Sequence, residues 1–475
     1  MKKFKTIFLV VAISLLFSSS IVRGTVTTLA DVTQINDLIV FNGKFYASTG
    51  EGCDGEANVY ESTNGTDWNK VFTLNNQENI HVLYDASAVD GYLYIGTGKR
   101  GCNPLSGARI YRYDGSGIWP LDDDWVLDLG LYHRIDDIIY FSGYFYAATG
   151  GANEWPNKGA AKIYRSATGD KGTWEIAFHI PDAYIFNGFA IYNSKLYVAS
   201  GDDKSGGVPG IAKIFSTTDG IIWQEEFYTS YIYVGELIEY EGKLYANAFY
   251  TPGYPANFNQ YGTIYMYDGF EWGDLKTDIT EMPFANYYSM SVYNNKLYIG
   301  TGAVENGLKG VIYSFDGTSW VLEIDLPTSE PIRSLSEFEA KLYAAAGKEI
   351  YDLSPVPDIK ANSSDGPLTI PRSDILRITV SLAPGIYGGN PADWWVLAKT
   401  PMGWYYRNLS TNSWKPGQTV TKQGPLFTVS NYQVLNQSGL PVGTYEFYFG
   451  VDLIMNGWIN YGTLYYDKVV VNVTP

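Results

Sequence analysis

FNGKFYASTG (Phe41–Gly50) sets out in ten residues the phrase that decides the fold: a tight turn, an aromatic before Tyr, then a small-residue run ending in Gly. Asn-Gly supplies the positive φ that a two-residue hairpin needs, so the strands on either side are expected to pair. VDGYLY (Val89–Tyr94) and FSGYFY (Phe141–Tyr146) repeat the turn with Asp-Gly and Ser-Gly. Over the whole chain the anchor tyrosines are Tyr46, Tyr94, Tyr146, Tyr197, Tyr245, Tyr298 and Tyr343, spaced by 48, 52, 51, 48, 53 and 45 residues. A period near fifty residues signals a propeller or a solenoid.

Each repeat reads as four strands, because short alternating apolar runs are punctuated by turn residues rather than helix caps. The third run is a hydrophobic pair, Val59-Tyr60 in the first repeat and Ile350-Tyr351 in the last. In six repeats a second turn then leads to a Trp (Trp68, Trp119, Trp174, Trp223, Trp272 and Trp320). Burying such a ring between neighbouring repeats contributes roughly 3 kcal/mol by area. The seventh repeat lacks the Trp strand, while TVTTLA (Thr25–Ala30) before the first hairpin is β-prone. That segment is expected to supply the missing strand beside Tyr351 and to close a ring that leaves no inner edge open. The fold class predicted is all-β, a seven-bladed β-propeller over residues 25–353 followed by an immunoglobulin-like β-sandwich.

STTDGIIW (Ser216–Trp223) and YSFDGTSW (Tyr313–Trp320) resemble the Asp-box repeat of sialidase-like propellers, and the hairpins NGKFY and NNKLY resemble kelch-type repeats. Here the Asp stands next to the Gly instead of two positions before it. The resemblance covers about residues 25–353 and implies the propeller fold; it implies no single activity, since related propellers serve as enzymes, lectins and scaffolds.

The first 24 residues read as a secretory signal: Lys2, Lys3 and Lys5, then an apolar run from Ile7 to Phe17, then a small-residue exit region. A secreted, periplasmic or cell-surface location follows. No later run of about 20 apolar residues predicts a membrane span. Loss of Lys2, Lys3, Lys5 and Arg23 takes the formal charge from −17 to −21, which repels phosphate backbones and argues against nucleic acid. Cys53 and Cys102 occupy matching places in neighbouring repeats, and a disulfide is expected between them in an oxidising compartment; free thiols or a two-thiol metal site are the alternatives.

Residues 354–370 (SPVPDIKANSSDGPLTI) shift composition and read as the linker and domain entry; short alternating strands over 358–475 then suggest the sandwich. It resembles the β-sandwich modules that end many exported bacterial proteins. DLIMNGWIN (Asp452–Asn460) has the imperfect spacing of a calcium loop and reads as a turn.

Nine positions before the anchors stand Asp37, Asp85, Asp137, Gly188, Glu236, Ser289 and Ser334. If the repeats superpose, these acids and hydroxyls ring the channel mouth, either holding Ca²⁺ through oxygen ligands or bonding backbone amides of adjacent blades. One position earlier adds Tyr84, Asp136, Tyr288 and Arg333, and the surrounding loops bring Trp155, Tyr231, Tyr233 and Tyr287. Aromatic faces stack on sugars and anchor proteins alike. The three histidines, His81, His133 and His179, belong to no ligand-spaced motif. These features predict a non-catalytic module that binds a glycan or extracellular protein. The alternative is a polysaccharide-active enzyme, a glycoside hydrolase or lyase, working through acids at the mouth.

Overall fold

The computed structural model describes residues 25–50, 57–74, 79–98, 107–131, 133–151, 161–180, 183–201, 211–231, 233–249, 262–275, 286–302, 310–326, 328 and 330–475. The chain is all-β. Among the described residues, its first 28 strands fall into seven antiparallel units of four. The innermost strands of units 1 to 7 are Ile35–Phe41, Asn79–Ala86, His133–Phe141, Ile185–Tyr192, Tyr233–Tyr240, Asn286–Tyr293 and Ile332–Phe338. Each touches the next, and that of unit 7 touches that of unit 1, so the seven inner strands close into a ring.

The repeat phrase accounts for this geometry. In unit 1, Asn42 (φ 49°) and Gly43 (φ 72°) make the hairpin turn. Gly at the end of the small-residue run lies where the next inner strand crosses. A Cβ on Gly98 would come within 2.3 Å of the Arg134 Cβ, and one on Gly201 within 2.2 Å of the Tyr233 ring. Single bridges at Gly98/Arg134, Gly150/Ile185 and Gly201/Tyr233 join the units there. The strand Thr25–Thr28 pairs antiparallel with Glu349–Asp352 of unit 7, Val26 opposite Tyr351, and so links the chain start to the last repeat.

The core is divided among the junctions between units. Phe41, Tyr46 and Val59 cluster with Leu83, Ile95 and Tyr111 between units 1 and 2, and comparable clusters fill every other junction, including that between 7 and 1. Trp119 stacks on Phe72 of unit 1 at 5.3 Å and Trp223 on Phe178 of unit 3 at 5.2 Å, each reaching across a junction.

The C-terminal region forms two further sheets, one of Val356–Ala361, Leu376–Ala383 and Val429–Gln437, the other built on Pro391–Thr400, Gly443–Asp452 and Leu464–Thr474. Within the stretch read as linker and domain entry, Val356–Ala361 pairs with Leu376–Ala383. Pro and Asp there mark a strand entry, and Leu353 and Ser354 are buried at the junction. Trp394 and Trp395 are likewise buried, as packing residues. One apolar cluster runs from Tyr298 and Ile332 of the ring through Leu353 to Ile386, Phe447 and Val469 of the sheets.

Candidate functional site

Each inner strand carries a register irregularity near its start, and this is what turns polar side chains toward the channel. Asp37 lies beside the irregularity opposite Ser48, and Asp137 opposite Ala148. Glu236 falls within the one between Val234 and Leu237. The two Asp carboxylates work alike. Oδ1 of Asp37 accepts from Leu38 N (2.8 Å) and Oδ2 from Leu83 N of unit 2 (2.9 Å). Oδ1 of Asp137 accepts from Ile138 N (2.7 Å) and Oδ2 from Phe189 N of unit 4 (2.7 Å). Glu236 accepts from Met290 N of unit 6 at 2.5 Å. Units 1, 3 and 5 thus each reach across one junction with a carboxyl. Ser334 of unit 7 donates to Asp37 (3.1 Å), and Ser289 donates to Ile332 O (3.1 Å).

Asp37, Asp137 and Glu236 are half-buried. Burial pushes Asp37 up to about 6, Asp137 to about 7 and Glu236 to about 8, against the opposing pull of the amide donors. Mutual repulsion adds to the rise at Asp137 and Glu236. Among the described residues, no group of three or more His, Cys, Asp or Glu side chains comes together to hold a metal. Asp37 and Asp137 each accept one amide N–H at each carboxylate oxygen.

Asp85 is not part of this ring. The unit 2 hairpin pairs Ala86 with Tyr92 across a turn of five residues, so the position matching Asp37 is Val82. Asp85 instead accepts from Ser87 N (2.8 Å) at the turn. The same shift moves Tyr84 away from the mouth, where its hydroxyl accepts from Tyr140 N of unit 3 (3.0 Å). Tyr231 is a core residue, 8% exposed and packed edge-on to Tyr265 at 6.3 Å. Asp136 forms an ion pair with Arg134 at 2.5 Å. Tyr233 is half-buried over Gly201, and Arg333 is half-buried beside Ser334. Tyr287 and Tyr288 lie on the inner strand of unit 6, their side chains outside the described residues, as are Trp155, Cys53 and Cys102.

Sequence reasoning missed Asn36 and Asn187. Asn36 donates to Gly50 O and to Ile80 O of unit 2, both at 2.8 Å, and Asn187 donates to Val234 O of unit 5 at 2.6 Å. Their signal was an amide directly before the ring position. Arg112 and Arg165 serve junctions: Arg112 pairs with Asp170 of unit 3 (2.8 Å), and Arg165 donates to Gly220 O of unit 4 (3.1 Å). Both lie on the third strands of their units.

No protein-family model and no curated protein matches the sequence. Among solved structures, the extracellular domain of a hybrid two-component system from B. thetaiotaomicron is similar at 11% identity and TM-score 0.41, over 95% of this chain and 58% of that one. The β-propeller domain of the Trilobed protease from Pyrococcus furiosus is similar at 12% identity and TM-score 0.43, over 67% and 91%. An ulvan lyase bound to a GlcA–Rha3S unit is similar at 13% identity and TM-score 0.41, over 76% and 92%. The chain spans under three fifths of the length of the first of these. Scores this low assign neither substrate nor activity. Among the described residues, no helix is long and apolar enough to cross a membrane.

Proposed function

We propose that the protein is an exported seven-bladed propeller with an immunoglobulin-like sandwich, and that its loop-bearing face recognises a glycan. Residues 1–24 act as its signal, and Cys53 and Cys102 form a disulfide between neighbouring loops of that face. The observation that carries recognition over turnover is the commitment of Asp37, Asp137 and Glu236 to backbone amides of neighbouring units. Acids spent on bracing the ring make a rigid frame, and rigid frames present binding loops. What faces a ligand is then the mouth layer, with the Arg134–Asp136 pair, Tyr233, Tyr287 and Arg333, together with the loop around Trp155.

A glycan array probed with the processed protein, with calcium and with chelator, tests this. Saturable binding that weakens in Arg333→Ala and Tyr233→Ala at unchanged melting temperature supports it; binding to no glycan sinks it and directs the search to extracellular protein partners.

A second reading draws on the raised carboxyls. Asp137 at about 7 and Glu236 at about 8 keep their protons near neutrality, as a general acid must. Polysaccharide cleavage by these groups predicts new reducing ends or unsaturated sugars from any glycan bound. Their loss in Glu236→Gln with affinity retained would establish that reading in place of the first.

A further inference from the structure

Asp393 and Asp452 stand opposite each other on paired strands of the C-terminal domain, and neither has any exposed surface. Burying two carboxylates side by side is costly unless hydrogen bonds compensate. Seven uncharged donors do so. Asp393 accepts from Gln423 Nε2 (2.8 Å), Asn456 N (3.0 Å) and Gly457 N (2.5 Å). Asp452 accepts from Ile454 N (3.1 Å), Asn460 N (2.6 Å), Asn460 Nδ2 (2.9 Å) and Thr463 Oγ1 (2.7 Å). All but Gln423 belong to the single connection between the strands Gly443–Asp452 and Leu464–Thr474. The stretch that reads as an imperfect calcium loop is therefore pinned from beneath, its donors held by its own Asp452 and by Asp393 of the neighbouring strand.

The loop so fixed packs Leu453 against the core and leaves its large rings outside it. Trp458 is 76% exposed and Tyr461 86%, with Ile454 and Met455 at 46% each. Rings this exposed on a backbone this constrained are preorganised for contact, since little ordering cost remains on binding. The chemistry of the contact follows from charge. In a chain of net charge −17, the fourteen residues Leu453–Tyr466 contain no Asp, Glu, Lys or Arg. Such a surface offers nothing to an ionic partner and offers flat aromatic faces to the C–H faces of pyranose rings.

We propose that the loop Leu453–Thr463 is a second, separate binding site, for uncharged polysaccharide, with Trp458 and Tyr461 as its stacking rings. A lipid surface fits less well. Insertion into a bilayer needs no fixed ring spacing, the two aromatic residues are more exposed than the aliphatic ones, and the acidic chain is repelled by anionic headgroups.

The test uses the full processed chain in native affinity gels containing mannan, xyloglucan, β-1,3-glucan, β-1,4-galactan or starch. Retention in at least one gel is expected, weakened at least about tenfold by Trp458→Ala and by Tyr461→Ala. The melting temperatures of both variants should stay unchanged, and Phe270→Ala, which removes a 93% exposed ring from the propeller region, should be retained like the unaltered chain. Absence of retention in all five gels overturns the proposal, as does equal retention of Trp458→Ala. Trp458-dependent binding to phosphatidylcholine vesicles in place of polysaccharide, or Trp458-dependent self-association, overturns it in favour of those occupants.

Discussion

The hydroxyl of Tyr146 occupies the space a side chain on Gly220 would need: an ideal Cβ there would lie 1.8 Å from it. Tyr146 is the anchor of unit 3 and Gly220 the turn glycine of unit 4, so the two most regular marks of the repeat are one contact seen from its two sides. Tyr94 stands in the same relation to Gly169, and Tyr343 of unit 7 to Gly65 of unit 1. The turn is shaped to receive the ring. Thr217 Oγ1 accepts from Gly220 N (2.9 Å), and Asp219 Oδ1 accepts from Ile221 N (2.8 Å) and Ile222 N (2.9 Å), presenting the bare glycine to the neighbour.

Gly220→Ala should therefore destabilise the protein by about 2–4 kcal/mol, through a clash added to a left-handed φ of 70°. Gly143→Ala, at φ 88° with nothing within 4 Å, carries the backbone cost alone, about 1 kcal/mol. Chemical denaturation of both variants checks the difference. Combining Gly220→Ala with Tyr146→Phe should recover part of the loss, and strict additivity in that cycle would remove the contact from the account.

Stability should fall as pH rises. The folded pKa values of Asp37, Asp137 and Glu236 lie above their ordinary ones, so the folded state holds protons that the unfolded chain releases. Their stabilising share is complete below about pH 4 and is lost as pH climbs through about 6, 7 and 8. Melting temperature is expected to be higher at pH 5 than at pH 8.5. Glu236→Gln, which keeps an acceptor for Met290 N, should flatten the upper part of that slope; an unchanged slope would mean that Glu236 is charged across the whole range.

The period, the hairpin turns and the outer tryptophans were legible in the sequence because each is a local pattern with one physical cause. Residue offsets were less dependable. Counting nine back from the anchor finds Asp37 and Asp137, whose hairpins turn in two residues, and fails at Asp85, where three extra turn residues shift the register. Tyr231 sits in a loop-like stretch yet is buried, because Ala212 N bonds to its carbonyl (3.0 Å) and draws the segment onto unit 4. Bonding of the ring acids to amides of adjacent blades was one of the two readings the sequence offered; the particular amides, on strands some fifty residues distant, were not legible. The turn reading of Asp452–Asn460 did not show that Asp393, some sixty residues earlier, accepts from its Asn456 N and Gly457 N.

Leu29 tests the pairing of the chain start with unit 7. It is 4% exposed, its N donates to Lys348 O (3.0 Å), and it packs with Ile35, Phe45 and Tyr343 across the junction of units 7 and 1. Leu29→Ala is expected to cost about 2–5 kcal/mol. Hydrogen exchange should localise the loosening to Thr25–Thr28 and Glu349–Asp352, whereas loosening elsewhere would separate this strand from the integrity of the ring.

The ring and the C-terminal sheets should melt together. Tyr293 of unit 6 donates its hydroxyl to Ala340 O (2.6 Å), so the buried 2.6 Å contact between Tyr293 and Tyr387 has Tyr387 as donor. Ile386 N donates to Leu353 O (3.2 Å), and Gly385, at φ 60°, lies so close to the chain crossing that a Cβ would come within 2.2 Å of Leu353 O. With apolar side chains of both parts in one cluster, neither can unfold without exposing the other's core. Calorimetry should show one transition for the junction and both partners. Tyr387→Phe should lower it modestly, by about 1 kcal/mol for the lost bond. Gly385→Ala should lower it by several times that amount or split it into two, because the added methyl pushes the sheets away from unit 7. Two transitions in the unaltered protein would show that the shared cluster does not couple the parts.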